Sequence, residues 1–360
     1  MASIDLSQPL RPTPSHTSPD PKSSPEPDMS IQTSPDQRGK ARMRPETIAT
    51  IGVFGLTAVL ILLSRFVSPA LGGWDQVNTV IVLASFLIVV AFGQGLVILL
   101  GGLDLSIPSV ITIGGVLTTT LIGESSGLGQ ALLPVILVIC ALVGALSGAG
   151  IAFLGIPPFI MTMATGIIVA STALGLTSGT PRGSSPEVLL WLMKSQVLGI
   201  SCVVVFTLMI ASVGAVIQGR TAFGRRLMAI GSNARAAILA GISTRTYTIF
   251  AYAASSMSAG LAGMMLVGYA SGATLRMGDS YLLPSIAAVV IGGSSILGGR
   301  GSFVSTIGGA LLLTTLGIVI AALGVPYGWR TVIEGCTILI ALLLLRENVF
   351  GFLGRLSARK

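Results

Sequence analysis

Ten apolar stretches, most of them close to the length that crosses a bilayer, follow one another between Ile48 and Leu345 with short polar interruptions. A hydrocarbon layer about 30 Å thick takes about 20 helical residues to cross. The stretches are 48–68, 77–100, 107–124, 129–153, 157–178, 198–217, 246–268, 281–298, 302–323 and 328–345. They predict an all-α, polytopic integral membrane protein with about ten transmembrane helices. Charge supports the class: 9% of residues are charged, against about 25% in a soluble domain. The 46 glycines fit as well, because small residues let membrane helices approach closely.

The net charge of +8 does not mark a nucleic-acid partner. Residues 1–47 hold six basic and six acidic groups, so the excess lies between and after the spans. That is the positive-inside distribution. Arg38, Lys40, Arg42 and Arg44 precede the first span. Six spans later, the loop 218–245 carries Arg220, Arg225, Arg226, Arg235 and Arg245 and no acid. The end of the chain carries Arg346, Arg355, Arg359 and Lys360. The loops assigned outside, 69–76, 179–197 and 269–280, have only Arg182, Lys194 and Arg276 as basic residues. Both termini and the basic loop are therefore expected in the cytoplasm. Arg65, near the outer end of the first span, is expected to snorkel to the headgroups.

Three domains follow: a cytoplasmic tail 1–47, a transmembrane domain 48–345 with the cytoplasmic loop 218–245, and a cytoplasmic tail 346–360. The first tail is rich in Pro, Ser, Thr and Asp, cannot bury enough apolar surface to order itself, and reads as disordered. It has no signal-peptide layout. Glu187 to Gln196 is too short to span and is expected to lie as an interfacial helix anchored by Trp191. Cys140, Cys202 and Cys336 stand singly in apolar spans and read as small buried hydrophobes, with no metal or redox spacing. The one histidine, His16, is in the tail, which excludes a histidine relay from the spans.

The stretch Gly101–Ser109, reading GGLDLSIPS, breaks the pattern between the second and third spans. A polar break at membrane depth must be covered by protein or line a cavity. Asp104 or Ser106 can cap the third span and Pro108 fits its first turn. The same groups can also border a polar path, and the two readings are compatible. Other ionisable groups in or beside spans are Glu124, Asp279, Arg300, Arg330 and Glu334. Such groups are sites by default, although Glu124 at a span end reads as solvated and Arg330 and Glu334 suit an intrahelical pair. No acidic ladder runs through the spans, which disfavours a proton- or sodium-coupled carrier. A weak internal repeat matches Thr112–Leu117 to Thr306–Leu311, each after a glycine-rich joint, the second being Gly298–Gly301.

No phosphate-loop motif is present, so active transport would need a partner subunit. The loop 218–245 is the internal cytoplasmic segment large enough to dock one. Within it Ala234 to Ala240 is expected to be a short helix with Asn233 as N-cap and Gly241 just past its end.

That loop resembles the cytoplasmic coupling loop of permeases of ATP-binding cassette importers, in the branch that takes up ribose and other monosaccharides. Three other stretches resemble the same family: Gly101–Ser106, Gly155–Thr162 and Ala287–Ser302. The resemblance implies a pair of permease subunits, homo- or heterodimeric, with separate ATP-binding cassette ATPase subunits that use ATP and Mg. It also implies a soluble periplasmic sugar-binding protein and a bacterial inner-membrane location. No cofactor would be bound by this chain, and it would not be an enzyme. Gly224, Arg225, Arg226, Asn233, Arg235, Ala236, Ala237 and Gly241 become the residues expected to couple to the ATPase. Asp104, Ser106, Phe159, Thr162 and Ser294 become the expected path or gate. Arg235 departs from the acidic residue usual at its position. Two other readings are an ATP-independent channel or facilitator for a small polar solute, and a membrane-embedded enzyme, which lacks a catalytic cluster in the spans. By the charge count the Asp104 joint falls on the cytoplasmic side, so a hinge or gate is its first expected role.

Overall fold

The computed structural model describes residues 45–67, 71–123, 127–197 and 199–345. Thirteen α-helices occupy these segments: α1 (Pro45–Val67), α2 (Trp74–Leu99), α3 (Ile107–Leu117), α4 (Leu133–Leu154), α5 (Pro158–Thr177), α6 (Glu187–Lys194), α7 (Cys202–Arg220), α8 (Ala222–Ser232), α9 (Ala234–Leu239), α10 (Thr244–Ala270), α11 (Leu282–Ile291), α12 (Phe303–Ala322) and α13 (Tyr327–Leu345). Nearly all the predicted tail 1–47, Glu124 and the tail 346–360 lie outside the described residues. Six of the helices, including those at the second, fourth to seventh and ninth predicted stretches, are long and apolar enough to cross a membrane. The chain is an all-α, multi-pass membrane protein.

Helix ends follow local chemistry. Prolines open α3, α4 and α5 within the first two positions, where the missing N–H has no intrahelical partner to lose. Gly155, at φ +68°, ends α4 in the left-handed conformation that favours glycine. α3 is shorter than the predicted 107–124 and finishes in wide π-turns at Thr118–Ile122. The predicted stretch 281–298 holds only the ten-residue α11. Gly293, Gly298 and Gly299 beyond it take positive φ values of 85°, 88° and 78°, which unwinds the rest into a second joint.

The predicted helix at Glu187–Gln196 is α6, with Trp191 exposed and Leu189 and Met193 buried. A small antiparallel hairpin, Gln196–Val197 with Ile200–Ser201, follows it. Cys140 and Cys202 are buried as expected, but Cys336 is exposed on α13, so the buried reading fails there. The Arg330 guanidinium donates to Gly317 O at 3.5 Å. Its expected partner Glu334 has a side chain outside the described residues.

α10 is the central strut, packed against α2, α3 and α4. Small residues set these crossings. A Cβ at Gly144 of α4 would lie 2.1 Å from Tyr252 O, and one at Gly263 of α10 would lie 2.1 Å from Ile111 O in α3. Gly114, in the first copy of the internal repeat, meets Gly260 of α10, and Gly309, in the second, meets Ala288 of α11. The aligned positions differ: Gly308, the counterpart of Gly114, faces Phe54 and Val53 of α1, and Gly115, the counterpart of Gly309, faces Met277 and Val267.

Replacing Gly263 with alanine should lower the thermal midpoint of the purified chain in detergent, because overpacking against a backbone carbonyl costs about 1–3 kcal/mol. Gly175, with nothing within 4 Å of its position, should accept alanine with no loss.

Candidate functional site

The joint after α2 folds back into the protein. Asp104 is completely buried. Its Oδ1 accepts the Ser106 N–H at 3.0 Å and the Ser106 hydroxyl at 2.5 Å. Its Oδ2 accepts the Ser255 hydroxyl at 2.7 Å. Ser255 belongs to α10 and lies eleven residues beyond its first residue, Thr244, or about 16 Å along the axis at 1.5 Å per residue. The carboxylate is thus tied to the middle of the central helix. Thr162 of α5 closes the other side: its hydroxyl oxygen accepts the Leu105 N–H at 3.1 Å and donates to Pro158 O at 2.9 Å.

The expected capping of α3 is corrected. Ser106 occupies the N-cap position, but no side chain there bonds the first helical N–H groups. Its hydroxyl is turned onto Asp104 instead, and Asp104 is engaged with Ser106 and Ser255. Several buried polar atoms have no partner among the described residues: both amide atoms of Gln94 and the hydroxyls of Tyr252 and Ser256. The Tyr252 hydroxyl sits against Gly102, where a Cβ would come within 2.5 Å of it. Unpaired buried polar groups are rare in native structures and cost about 1–3 kcal/mol each, so this is a polar seam kept inside an apolar bundle.

The second joint, Gly292–Ser302, touches the first. The Gly299 N–H donates to Leu99 O, the end of α2, at 2.9 Å. Both lie under α8. A Cβ on Gly231 would stand 1.8 Å from Leu99 O and 2.6 Å from the Gly299 nitrogen, so only glycine lets α8 seat there. Leu227 of α8 is fully buried with Leu96, Leu99 and Ala251. Gln218, at the end of α7, donates to Gly301 O at 3.2 Å. Gly224 is equally constrained, its Cβ position lying 1.9 Å from Gln218 O.

α8 itself went unpredicted, since the segment reads as a basic loop. α9 matches its expectation: the Asn233 side chain accepts the Ala236 N–H at 3.0 Å, and Gly241 has φ +78°. Ala237 is buried against the body, while Arg235, Ala236, Ile238 and Leu239 are exposed, Leu239 at 89%. Arg226 donates to the Tyr247 hydroxyl at 2.5 Å and lies over its ring. Arg225 donates to Arg220 O at 2.9 Å.

On the far side of α3's first turn lies a pocket of about 290 Å³. Ser109 and Thr112 of α3 and Ala170, Ser171 and Leu174 of α5 form its walls. Leu275, Arg276 and Asp279 from the α10–α11 connection complete it. Arg276 Nε bonds Asp279 Oδ2 at 2.7 Å.

Of the expected path residues, Asp104, Ser106 and Thr162 come together. Phe159 does not join them; it is 55% exposed on α5. Ser294 is buried in the second joint beside Gly301. The residues missed are on α10, where Ser255, Ser256 and Ser258 interrupt an apolar helix. That serine cluster was the available signal. Among the described residues no group of three or more His, Cys, Asp or Glu could hold a metal.

A family described as "branched-chain amino acid transport system / permease component" matches residues 76–342. The chain is 32% identical to a probable ABC transporter permease protein, y4mJ, of Sinorhizobium fredii over 82% of this chain and 88% of the relative. It is 33% identical to the ribose import permease protein RbsC of Bacillus subtilis, over 72% of this chain and 81% of the relative. It is 28% identical to the galactose/methyl galactoside import permease protein MglC of Escherichia coli, over 81% and 93% respectively. No solved structure matches.

Thr162→Val should strand the buried Leu105 N–H and destabilise the chain by about 1–3 kcal/mol, read as a lowered thermal midpoint. Thr162→Ser, which keeps the oxygen, should restore most of it.

Proposed function

The chain belongs to the branched-chain amino acid transport system / permease component family, and from that premise we propose that it is the membrane subunit of an ATP-driven, binding-protein-dependent importer of ribose or a related monosaccharide. Permeases for ribose and for galactose are among its relatives. The observation that carries the reading is the seat of α8 on both glycine joints at once. A push on α8 is delivered to the end of α2 at Leu99 and, two residues on, to the joint that holds Asp104. An ATP-independent facilitator has no need of such a lever.

In this reading ten spans cross the bacterial inner membrane with both termini in the cytoplasm. The tail 1–47 and the tail 346–360 flank a permease domain 48–345. Helix direction supports the layout. Arg245, at the start of α10, lies over Phe153 near the end of α4, and α8 meets the ends of α2 and the second joint. Lys194, the last residue of α6, donates to Ser271 at the opposite end of α10. The arginine-rich segment thus shares one end of the bundle with both joints.

ATP and Mg act on a separate ATPase subunit, and a second permease subunit and a periplasmic sugar-binding protein complete the assembly. The docking surface is α9 with Arg225, Arg226 and Arg235 around it. Gly224, Asn233, Ala236, Ala237 and Gly241 shape that surface. Gly224 lets α8 close onto α7, Asn233 starts α9 and Gly241 ends it. Asp104, Ser106 and Thr162 form the gate, with Ser294 in the neighbouring joint and Phe159 on the open face of α5.

Membranes carrying this chain with its ATPase and binding protein test the reading. Sugar uptake should require ATP, and the ATPase should co-purify with the permease. Gly231→Val, which unseats α8, should leave the subunits associated but cut uptake by an order of magnitude. Reversing Arg225 and Arg226 to glutamate should weaken association. Unchanged assembly and uptake would remove those two arginines from the dock, and sugar flux without ATP or an ATPase would make the chain a facilitator.

A further inference from the structure

We propose that the pocket between α3, α5 and the 275–279 turn is an entry site for a neutral monosaccharide, bound by the Arg276–Asp279 pair and the hydroxyls of Ser109 and Ser171. The inference rests on the importer reading and names a site within it.

The chemistry of the lining is that of polyol recognition. Arg276 and Asp279 spend one nitrogen and one oxygen on each other. The pair stands at the open rim, its side chains 85% and 46% exposed, where the remaining guanidinium N–H groups can donate in parallel and the second carboxylate oxygen can accept from adjacent hydroxyls. The pair is mutually neutralised, so the site offers directional hydrogen bonds without net charge. Ser109 and Ser171 have no hydrogen-bond partner among the described residues, whereas Thr112 is engaged with Pro108 O. Leu174 and Leu275 supply apolar wall for the C–H face of a sugar ring. At about 290 Å³ the volume sits at the small end of ligand pockets, about 300 Å³ and upward.

The pair is placed by the fold. Arg276 has φ +69°, a left-handed conformation that non-glycine residues seldom adopt and that clusters at functional sites. Two residues on, Gly278 is pressed against α3, where a Cβ would lie 2.2 Å from Pro108 O. Its N–H points to Thr112 Oγ1 at 3.4 Å. The turn is thereby pinned to the first turn of α3, whose preceding residue, Ser106, holds Asp104. A ligand in the pocket stands one helical turn from the joint.

Cysteine protection tests this directly. Ala170→Cys, in the pocket wall, is placed in a chain whose exposed Cys336 is replaced by serine, and the protein in lipid nanodiscs is labelled with a water-soluble maleimide. D-ribose or D-galactose at about ten times its Kd should slow labelling about tenfold by mass action, and L-leucine should not. Asp279→Asn should abolish the protection, while Arg182→Gln should leave it. Leu174→Cys, also in the wall and 52% exposed, serves as a second reporter if Ala170→Cys fails to fold. No protection by either sugar, protection by leucine, or protection that survives Asp279→Asn each overturns the site. The same preparation with its ATPase and binding protein separates the two failures: ATP-driven sugar uptake without protection discards the pocket alone, and absence of such uptake discards the importer reading.

Discussion

A chain that interrupts its helices inside an apolar bundle must satisfy the exposed backbone from within, and here one carboxylate organises that task. Asp104 draws the Ser106 N–H and hydroxyl onto itself and reaches across to Ser255. Without it, the segment between α2 and α3 would carry unpaired groups away from water. The result is a break that is held at three points, on α2 by continuity, on α10 by Ser255 and on α5 by Thr162. α3 can then begin in the interior and still point a definite way.

Much of this was legible from the sequence, for physical reasons that differ by element. A helix that crosses hydrocarbon advertises itself through length, so the long stretches were placed within a few residues of α2, α4, α5, α7, α10 and α12. The polar break at Gly101–Ser106 was visible because polar residues in an apolar context have few innocent explanations. α9 was visible through its cap, Asn233, and its terminator, Gly241. α8 also carries a helical pattern, Phe223, Leu227 and Ile230 at i, i+4 and i+7, but the arginines and glycines between them mask it, and its seat is on Leu99 and Gly299. Local sequence carries no record of a contact made with residues more than sixty positions away.

The same limit explains the site. Asp104, Ser106 and Thr162 lie in motifs and were named. Ser255 and Tyr252 lie inside a long helix, where a serine that bonds its own backbone looks the same as one that reaches a carboxylate. Phe159 was named for its ring. It shares the helical spacing of the buried stripe Thr162, Gly166, Val169 and Ala173, but as the second residue of α5 it stands at the helix end and stays 55% exposed.

The two joints meet at one backbone contact. Leu99 O is shared: Gly299 donates to it, and Gly231 of α8 passes so close that no side chain would fit. Gly101, at φ +80°, lies just past Leu99, and Gly298 and Gly299 flank the same contact from the other chain segment. Glycines at both sides of a tight contact give rotation where the contact itself permits no slack. α8 therefore bears on the end of α2 and the second joint at once, and the Asp104 knot ties that end to the start of α3. On that turn sits Ser109, and against it Gly278, so the chain of contacts that begins at the basic end of the bundle finishes at the wall of the pocket. The Tyr252 hydroxyl, without a partner among the described residues, stands beside this route against Gly102.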